Sequence, residues 1–280
     1  MASFSYTKVY LNDYITLGGL KEAKGQLKGF HYLAKDYYDG EKTFEKTEVK
    51  FQKMALDMLL INNKLNPNNV DLLIGGDLIN QIASTGYNAR NYNIPFLGIY
   101  SACATFVEGM IIASNFIEGG LLNNSVVITS SHNLNTEKQF RFPYSYGCPK
   151  PERSTFTATG AASILMSNKK STIKIKEGTL GKVTDYKVTD PYNLGAAMAP
   201  SCARVINDHL TDFNRKINYY DLILTGDLGE SGSKLLKILL EQEYNLKVNN
   251  HLDSGTLTYK KDQDCYDGAS GPVVLPFVLF

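Results

Sequence analysis

Residues 71–78 read DLLIGGDL and residues 221–228 read DLILTGDL, 150 positions apart (221 − 71). Both keep Asp, Leu, Gly, Asp and Leu at the same places, and the central pair exchanges Leu-Ile for Ile-Leu. A short apolar run closed by Gly-Asp is a buried strand that ends in a turn. The surroundings repeat too, with a helical pattern before each strand and another after it. Chance recurrence of a common strand ending is the alternative, and the matching neighbours count against it. The repeat predicts two fused α/β halves related by an approximate twofold axis, each bringing its turn to a common seam. The expected division is 1–170 for the half that carries Cys103 and 171–280 for a second half with a shortened C-terminus.

Working outward, residues 43–64 place Phe44, Phe51, Met54, Ala55, Met58 and Leu59 at mostly helical spacing, with Thr43 as N-cap. NIPFLGIY (93–100) is a second strand, and SACATFVEGMIIASNFIEGG (101–120) opens a helix that Gly119 and Gly120 stop. SVVITS (125–130) is a third strand. This alternation predicts right-handed crossovers and a mostly parallel sheet. TATGAASILMS (157–167) and the Thr- and Lys-rich 171–188 read as antiparallel strands. A helix over about 200–210, the strand at 221–227 and a helix over 231–243 repeat the scheme. The turn-rich end closes with a last apolar strand.

At 280 residues, 43% hydrophobic and 20% charged, the composition is globular. A net charge of +1 gives no electrostatic case for nucleic acid or an anionic bilayer as main partner. No apolar run reaches the roughly 18 residues of a membrane span, and the first residues lack a signal-peptide pattern. Cys103, Cys148, Cys202 and Cys265 form no CxxC and no cluster with His, so reduced thiols and no metal are expected.

Cys103 sits among Ser101, Ala102 and Ala104, between a strand and a helix. A thiol at a helix start meets unpaired N–H groups that favour thiolate, as in a nucleophile elbow; a small buried cysteine in a tight site fits equally well. Asp77, Cys103 and His132 all follow strands of one inferred sheet, at the carboxyl edge where open α/β sheets bind ligands. Asn133, Glu137 and Arg141 add polar groups there, Arg141 as a bidentate partner for a carboxylate. Met198, in the small-residue run NLGAAMAPSCARVI, serves helix packing or forms an apolar wall. Cys148, Cys202 and Cys265 read as structural, and His31, His209 and His251 as surface or capping residues.

On GGDLINQ, GIYSACATFVEG, SSHNLNTEKQFRFP, TATGAA, GKVTDYKVTDPYNLGAAMAP and LTGDLG, the chain resembles the thiolase superfamily and, within it, the stage V sporulation protein AD family of endospore-forming bacteria. The resemblance implies a layered αβαβα fold. It also implies that TGDLG (225–229) stands where type III ketoacyl synthases keep a His, and that 268–271 lacks the family's Asn. Asp227 is a poor substitute, since its charge opposes a developing enolate.

The implied function is therefore non-catalytic binding of dipicolinic acid (pyridine-2,6-dicarboxylate), alone or as its calcium chelate, for uptake into the developing spore. Asp77, Cys103, His132, Arg141, Met198 and Asp227 are the implied ligand-binding residues, with no cofactor. The implied partners are the membrane proteins of the stage V sporulation protein A operon and a second copy of the chain. The implied location is peripheral, at the cytoplasmic side or surface of the spore inner membrane. An acyltransferase or condensing enzyme that uses Cys103 is the alternative, and a structural partner with a vestigial pocket is a third. The ending PVVLPFVLF departs from the family's longer closing strand, and its two prolines weaken a central strand.

Overall fold

The computed structural model describes residues 2–140 and 150–280. The chain starts with β1 (Ala2–Ser5), β2 (Tyr10–Gly18), α1 (Leu20–Ala23) and β3 (Tyr32–Leu33). Then come α2 (Phe44–Asn62), β4 (Leu73–Gly76), α3 (Ala83–Ala89), β5 (Phe96–Gly98), α4 (Thr105–Glu118), β6 (Asn124–Ser131) and α5 (Asn133–Phe140). β7 (Phe156–Thr157), β8 (Gly160–Ser167), β9 (Ile173–Lys174) and β10 (Glu177–Leu180) lead to α6 (Leu194–Asp212). β11 (Ile223–Thr225), α7 (Gly229–Tyr244), β12 (His251–Asp253), α8 (Ser254–Thr258), β13 (Ala269–Ser270) and α9 (Val274–Leu279) complete it.

The eight-residue echo belongs to a repeat of whole elements. Helices α2 and α6 each span 19 residues and start 150 positions apart (194 − 44). The Thr43 side chain accepts the Lys46 N–H, and the Asn193 side chain accepts the Ala196 N–H, so both N-termini are capped. Lys64 (φ 52) and Asn214 (φ 49) turn the chain out of each helix in the left-handed region. Strands β4 and β11 follow at the same offset (223 − 73).

The main sheet runs β3-β2-β8-β6-β4-β5, with β9 also on β2. Strands β6, β4 and β5 are parallel, whereas β8 lies antiparallel between β2 and β6. The sheet is thus mixed rather than mostly parallel, because β8 returns along β6 instead of crossing over. On one face Phe51, Leu56 and Leu59 of α2 pack against Ile15, Leu73 and Ile128. On the other, Phe106, Ala113 and Ile117 of α4 pack against Ile74, Val127 and Ile164. A separate core joins Ala199 and Ala203 of α6 to Leu236 and Leu240 of α7. There Gly195 and Gly232 let the helices touch: a Cβ on Gly195 would stand 2.8 Å from the Gly232 Cα.

Three sequence expectations fail for local reasons. Helix α6 starts at Leu194 rather than near Pro200, since the Asn193 cap sets its start and the helix runs through the proline. Of 171–188, only β9 and β10 form strands. The closing apolar run is helix α9, not a strand: Val273, Val274 and Phe277 bury one face at helical spacing. Pro276 falls in its first turn, where a backbone N–H has no helical partner to lose.

Candidate functional site

Parallel pairing of β5, β4 and β6 brings their carboxyl ends to one edge of the sheet. Asp77 directly follows β4, Cys103 lies five residues beyond β5 (103 − 98), and His132 directly follows β6. The backbone therefore gathers all three, but their side chains serve different structures.

Cys103 sits in a 3-10 turn, Ala102–Ala104, that leads into α4. Its neighbour Ala102 has φ 46, a left-handed conformation that L-residues rarely adopt and that marks the sharp strand-to-helix turn. Across the seam from Cys103 stands the Asp227 carboxylate, which accepts the Gly271 N–H at 2.9 Å. Gly271 holds φ 112, and a Cβ there would stand 3.1 Å from Ser131 Oγ at the end of β6. The seam thus joins the start of α4, the end of β6, the turn after β11 and the turn after β13.

Burial and then the Asp227 charge push the Cys103 thiol well above its ordinary value. Burial raises Asp227 to about 6, against the lowering effect of Cys103 and the Gly271 N–H. Of the two readings left open for Cys103, activated thiolate and buried cysteine, this environment favours the protonated thiol. A full charge in contact within a low-dielectric seam outweighs the half-charge of a helix end two residues away.

Asp77 stays within its own copy. It accepts N–H bonds from Ile79 (2.8 Å) and Thr85 (2.7 Å) and the Thr85 hydroxyl (2.6 Å), fixing the start of α3. It borders a buried network that sequence reasoning missed. Glu48 accepts from Ser130 Oγ (2.9 Å) and Asn135 Nδ2 (2.7 Å), while Gln52 Nε2 donates to Thr85 and Ser130. Burial, then the Asp77 charge, raises Glu48 to about 8. In the second copy Asp253 takes the capping role, accepting the N–H groups of Leu228 (2.9 Å) and Gly229 (3.0 Å). Asp227 is thereby released to face Cys103. The readable signal for Asp253 is its place at the end of a strand.

His132 is fully buried, stacked on Phe44 with ring centroids 5.1 Å apart. Its Nδ1 accepts the Leu134 N–H at 3.2 Å, so Nε2 carries the proton and donates to Tyr37 O at 2.9 Å. Burial lowers its pKa, keeping the ring neutral. Both nitrogens are engaged, which leaves none for a ligand carboxylate in this arrangement. Asn133 is buried with its N–H on Thr159 Oγ1, and Glu137 pairs with Lys150. Met198 packs into the α6–α7 core. Arg141 and Cys148 lie outside the described residues.

Cys103, Cys202 and Cys265 are free thiols, with Cys265 buried against Lys21 Nζ (3.6 Å) and Gln263 O (3.3 Å). His31 accepts the Thr16 N–H, and His209 sits between Thr179 and Tyr220. His251 is buried against Thr225 rather than at the surface. Among the described residues no group of three or more His, Cys, Asp or Glu gathers as a metal site.

The family description stage V sporulation protein AD matches residues 3–279. Stage V sporulation protein AD of Bacillus subtilis (strain 168) is 38% identical over 264 residues, which cover 94% of this chain and 78% of that protein. Among solved structures, a cerulenin-bound OleA variant of Xanthomonas campestris matches with a TM-score of 0.66 at 12% identity, covering 99% of this chain and 88% of that one. A 3-oxoacyl-(acyl carrier protein) synthase III, FabH, of Xanthomonas oryzae pv. oryzae matches with a TM-score of 0.63 at 13% identity, covering 99% and 90%. At such identities the likeness is one of fold, and that fold is thiolase-like.

Proposed function

The chain belongs to the stage V sporulation protein AD family, with a role in sporulation, and from that premise we propose that it binds dipicolinic acid without catalysing a reaction on it. One observation carries the non-catalytic reading: the buried Asp227 carboxylate stands against the Cys103 thiol and raises its pKa. A nucleophilic cysteine needs a partner that accepts its proton and then tolerates the negative sulfur. Asp227 does the opposite, because its charge holds the proton on sulfur.

The same carboxylate bears on the form of the ligand. A bare dianion beside Asp227 is repelled, whereas a calcium chelate places a hard cation where a carboxylate oxygen is a natural ligand. The calcium chelate is therefore the better match at this seam. In this reading the chain loads dipicolinate as a dimer at the surface of the spore inner membrane, with membrane proteins of the stage V sporulation protein A operon. Among the described residues no helix is long and apolar enough to cross a membrane. The exposed Phe96 and Leu97 of the edge strand β5 support a second copy as partner.

Calorimetric titration with dipicolinate, with and without calcium, tests the reading. Saturable binding that Asp227→Asn weakens more with calcium than without is the expected result. No heat with either form overturns it. The condensing-enzyme reading keeps one observation in its favour, the sharp turn that presents Cys103 ahead of α4. Intact mass after exposure to acyl-CoA decides it, since a thioester on Cys103 establishes that reading and an unchanged mass removes it.

A further inference from the structure

We propose that α5 is a proton-operated latch: it stays closed on α2 while Glu48 carries a proton and opens when Glu48 is charged. Helix α4 is anchored by apolar side chains, with Phe106, Ala113 and Ile117 buried. Helix α5 buries only two residues, and both are asparagines, Asn133 and Asn135. Leu134 is half-buried and Phe140 is 57% exposed. A helix docked mainly through polar contacts gains little from the hydrophobic effect, so its docking follows the state of its hydrogen-bond partners.

In the interior, Asn135 Nδ2 donates to Glu48 Oε2 at 2.7 Å, and the Asn133 N–H donates to Thr159 Oγ1 at 2.9 Å. At the exposed rim Lys138 pairs with Glu45 (2.9 Å), and Gln139 Oε1 accepts the Asn80 N–H at 3.2 Å. An exposed ion pair contributes little, which leaves Asn135 on Glu48 as the main tie between α5 and α2.

The hydrogen-bond directions around Glu48 show what its proton does. Thr85 gives its hydroxyl proton to Asp77 (2.6 Å), so its oxygen accepts from Gln52 Nε2 (2.8 Å). Gln52 also donates to Ser130 Oγ, whose own proton goes to Glu48 Oε1 (2.9 Å). A charged Glu48 therefore rests on two neutral donors, Ser130 and Asn135. The charges that face it share its sign, Asp77 from the end of β4 and Glu45 from α2. Lys138 of α5 is turned to Glu45, His132 at the end of β6 is neutral, and α3 presents Thr85 and Asn88 through Gln52.

A protonated Glu48 needs an acceptor for its O–H. Asn135 Oδ1, buried and with no partner among the described residues, is that acceptor once the amide makes a half-turn. The closed helix thus suits the neutral acid and leaves the charged one poorly solvated, a strain that opening α5 to water relieves. Opening also breaks the bond from the Leu134 N–H to His132 Nδ1 (3.2 Å), which frees the imidazole at the carboxyl edge of the sheet. Glu48 is raised from 4.5 to about 8, so the closed state is favoured fully below pH 4.5 and loses that support as pH rises through about 8.

Native-state hydrogen exchange on the full chain tests the latch, with rates corrected for intrinsic exchange. Protection of the amides of residues 136–140 is expected to fall about tenfold or more between about pH 6 and about pH 9, and to stay level in Glu48→Gln. Low urea should leave exchange in α5 unchanged while it speeds exchange in α4, because α5 opens without the rest of the chain. Asn135→Ala should lose protection in α5 at both pH values with α4 still protected. The proposal is overturned if α5 shares the urea dependence of α4, or if its protection does not change with pH. A fall of the same size in Glu48→Gln overturns it equally.

Discussion

Replacing Asp227 by asparagine keeps the shape of the seam and removes its charge. Folding raises this carboxyl from 3.8 to about 6, which at 1.36 kcal/mol per pH unit corresponds to about 3 kcal/mol against the charged folded state. Because the folded value lies above the unfolded one, the group's contribution to stability is complete below pH 3.8 and is lost as pH rises through about 6. At pH 8 the wild type therefore carries the whole penalty and Asp227→Asn carries none. That figure is already net of the favourable effect of the Gly271 N–H and Cys103 on the charged form, and asparagine, like the protonated acid, still accepts the Gly271 N–H. The variant should then be more stable by about 3 kcal/mol at pH 8, with the advantage gone at pH 4. Urea unfolding at the two pH values measures this. Alkylation of Cys103 by iodoacetamide should also be faster in the variant, since the charge that raises the thiol is gone. Equal stability differences at both pH values, together with unchanged alkylation, would refute the electrostatic account of the seam.

Glu48→Gln tests the other buried acid. Glu48 is raised from 4.5 to about 8, so its stabilising share is complete below pH 4.5 and is lost as pH climbs to 8. The variant should unfold with a flatter pH dependence between pH 5 and 8 by denaturant titration. Gly195→Ala would set a Cβ 2.6 Å from Leu228 O and 2.8 Å from the Gly232 Cα, both backbone atoms. Forcing α6 and α7 apart should cost about 1–3 kcal/mol, read as a lower Tm, whereas Gly86→Ala, with nothing within 4 Å of its Cβ, should not lower it.

What the sequence determined by itself is what depends on neighbours along the chain. The duplicated DL strand and its Gly-Asp turn announced two copies, and Thr43 announced a helix start because its partner is three residues away. The edge shared by Asp77, Cys103 and His132 followed from strand order, since parallel strands align their carboxyl ends. The closing run PVVLPFVLF was not legible, because a short apolar run fits a buried strand and a buried helix equally until packing chooses.

The two turn aspartates show where local reading stops. Asp77 and Asp227 both sit in a Gly-Asp-Leu turn, yet Asp77 bonds Thr85 eight residues on, whereas Asp227 bonds Gly271, 44 residues on, and faces Cys103 of the other copy. The difference arises from Asp253, which caps α7 and leaves Asp227 unclaimed. Whether Cys103 is a thiolate or a thiol follows from that long-range contact. Burial and a charge brought close by folding shift a proton by far more than the chain's local sequence does.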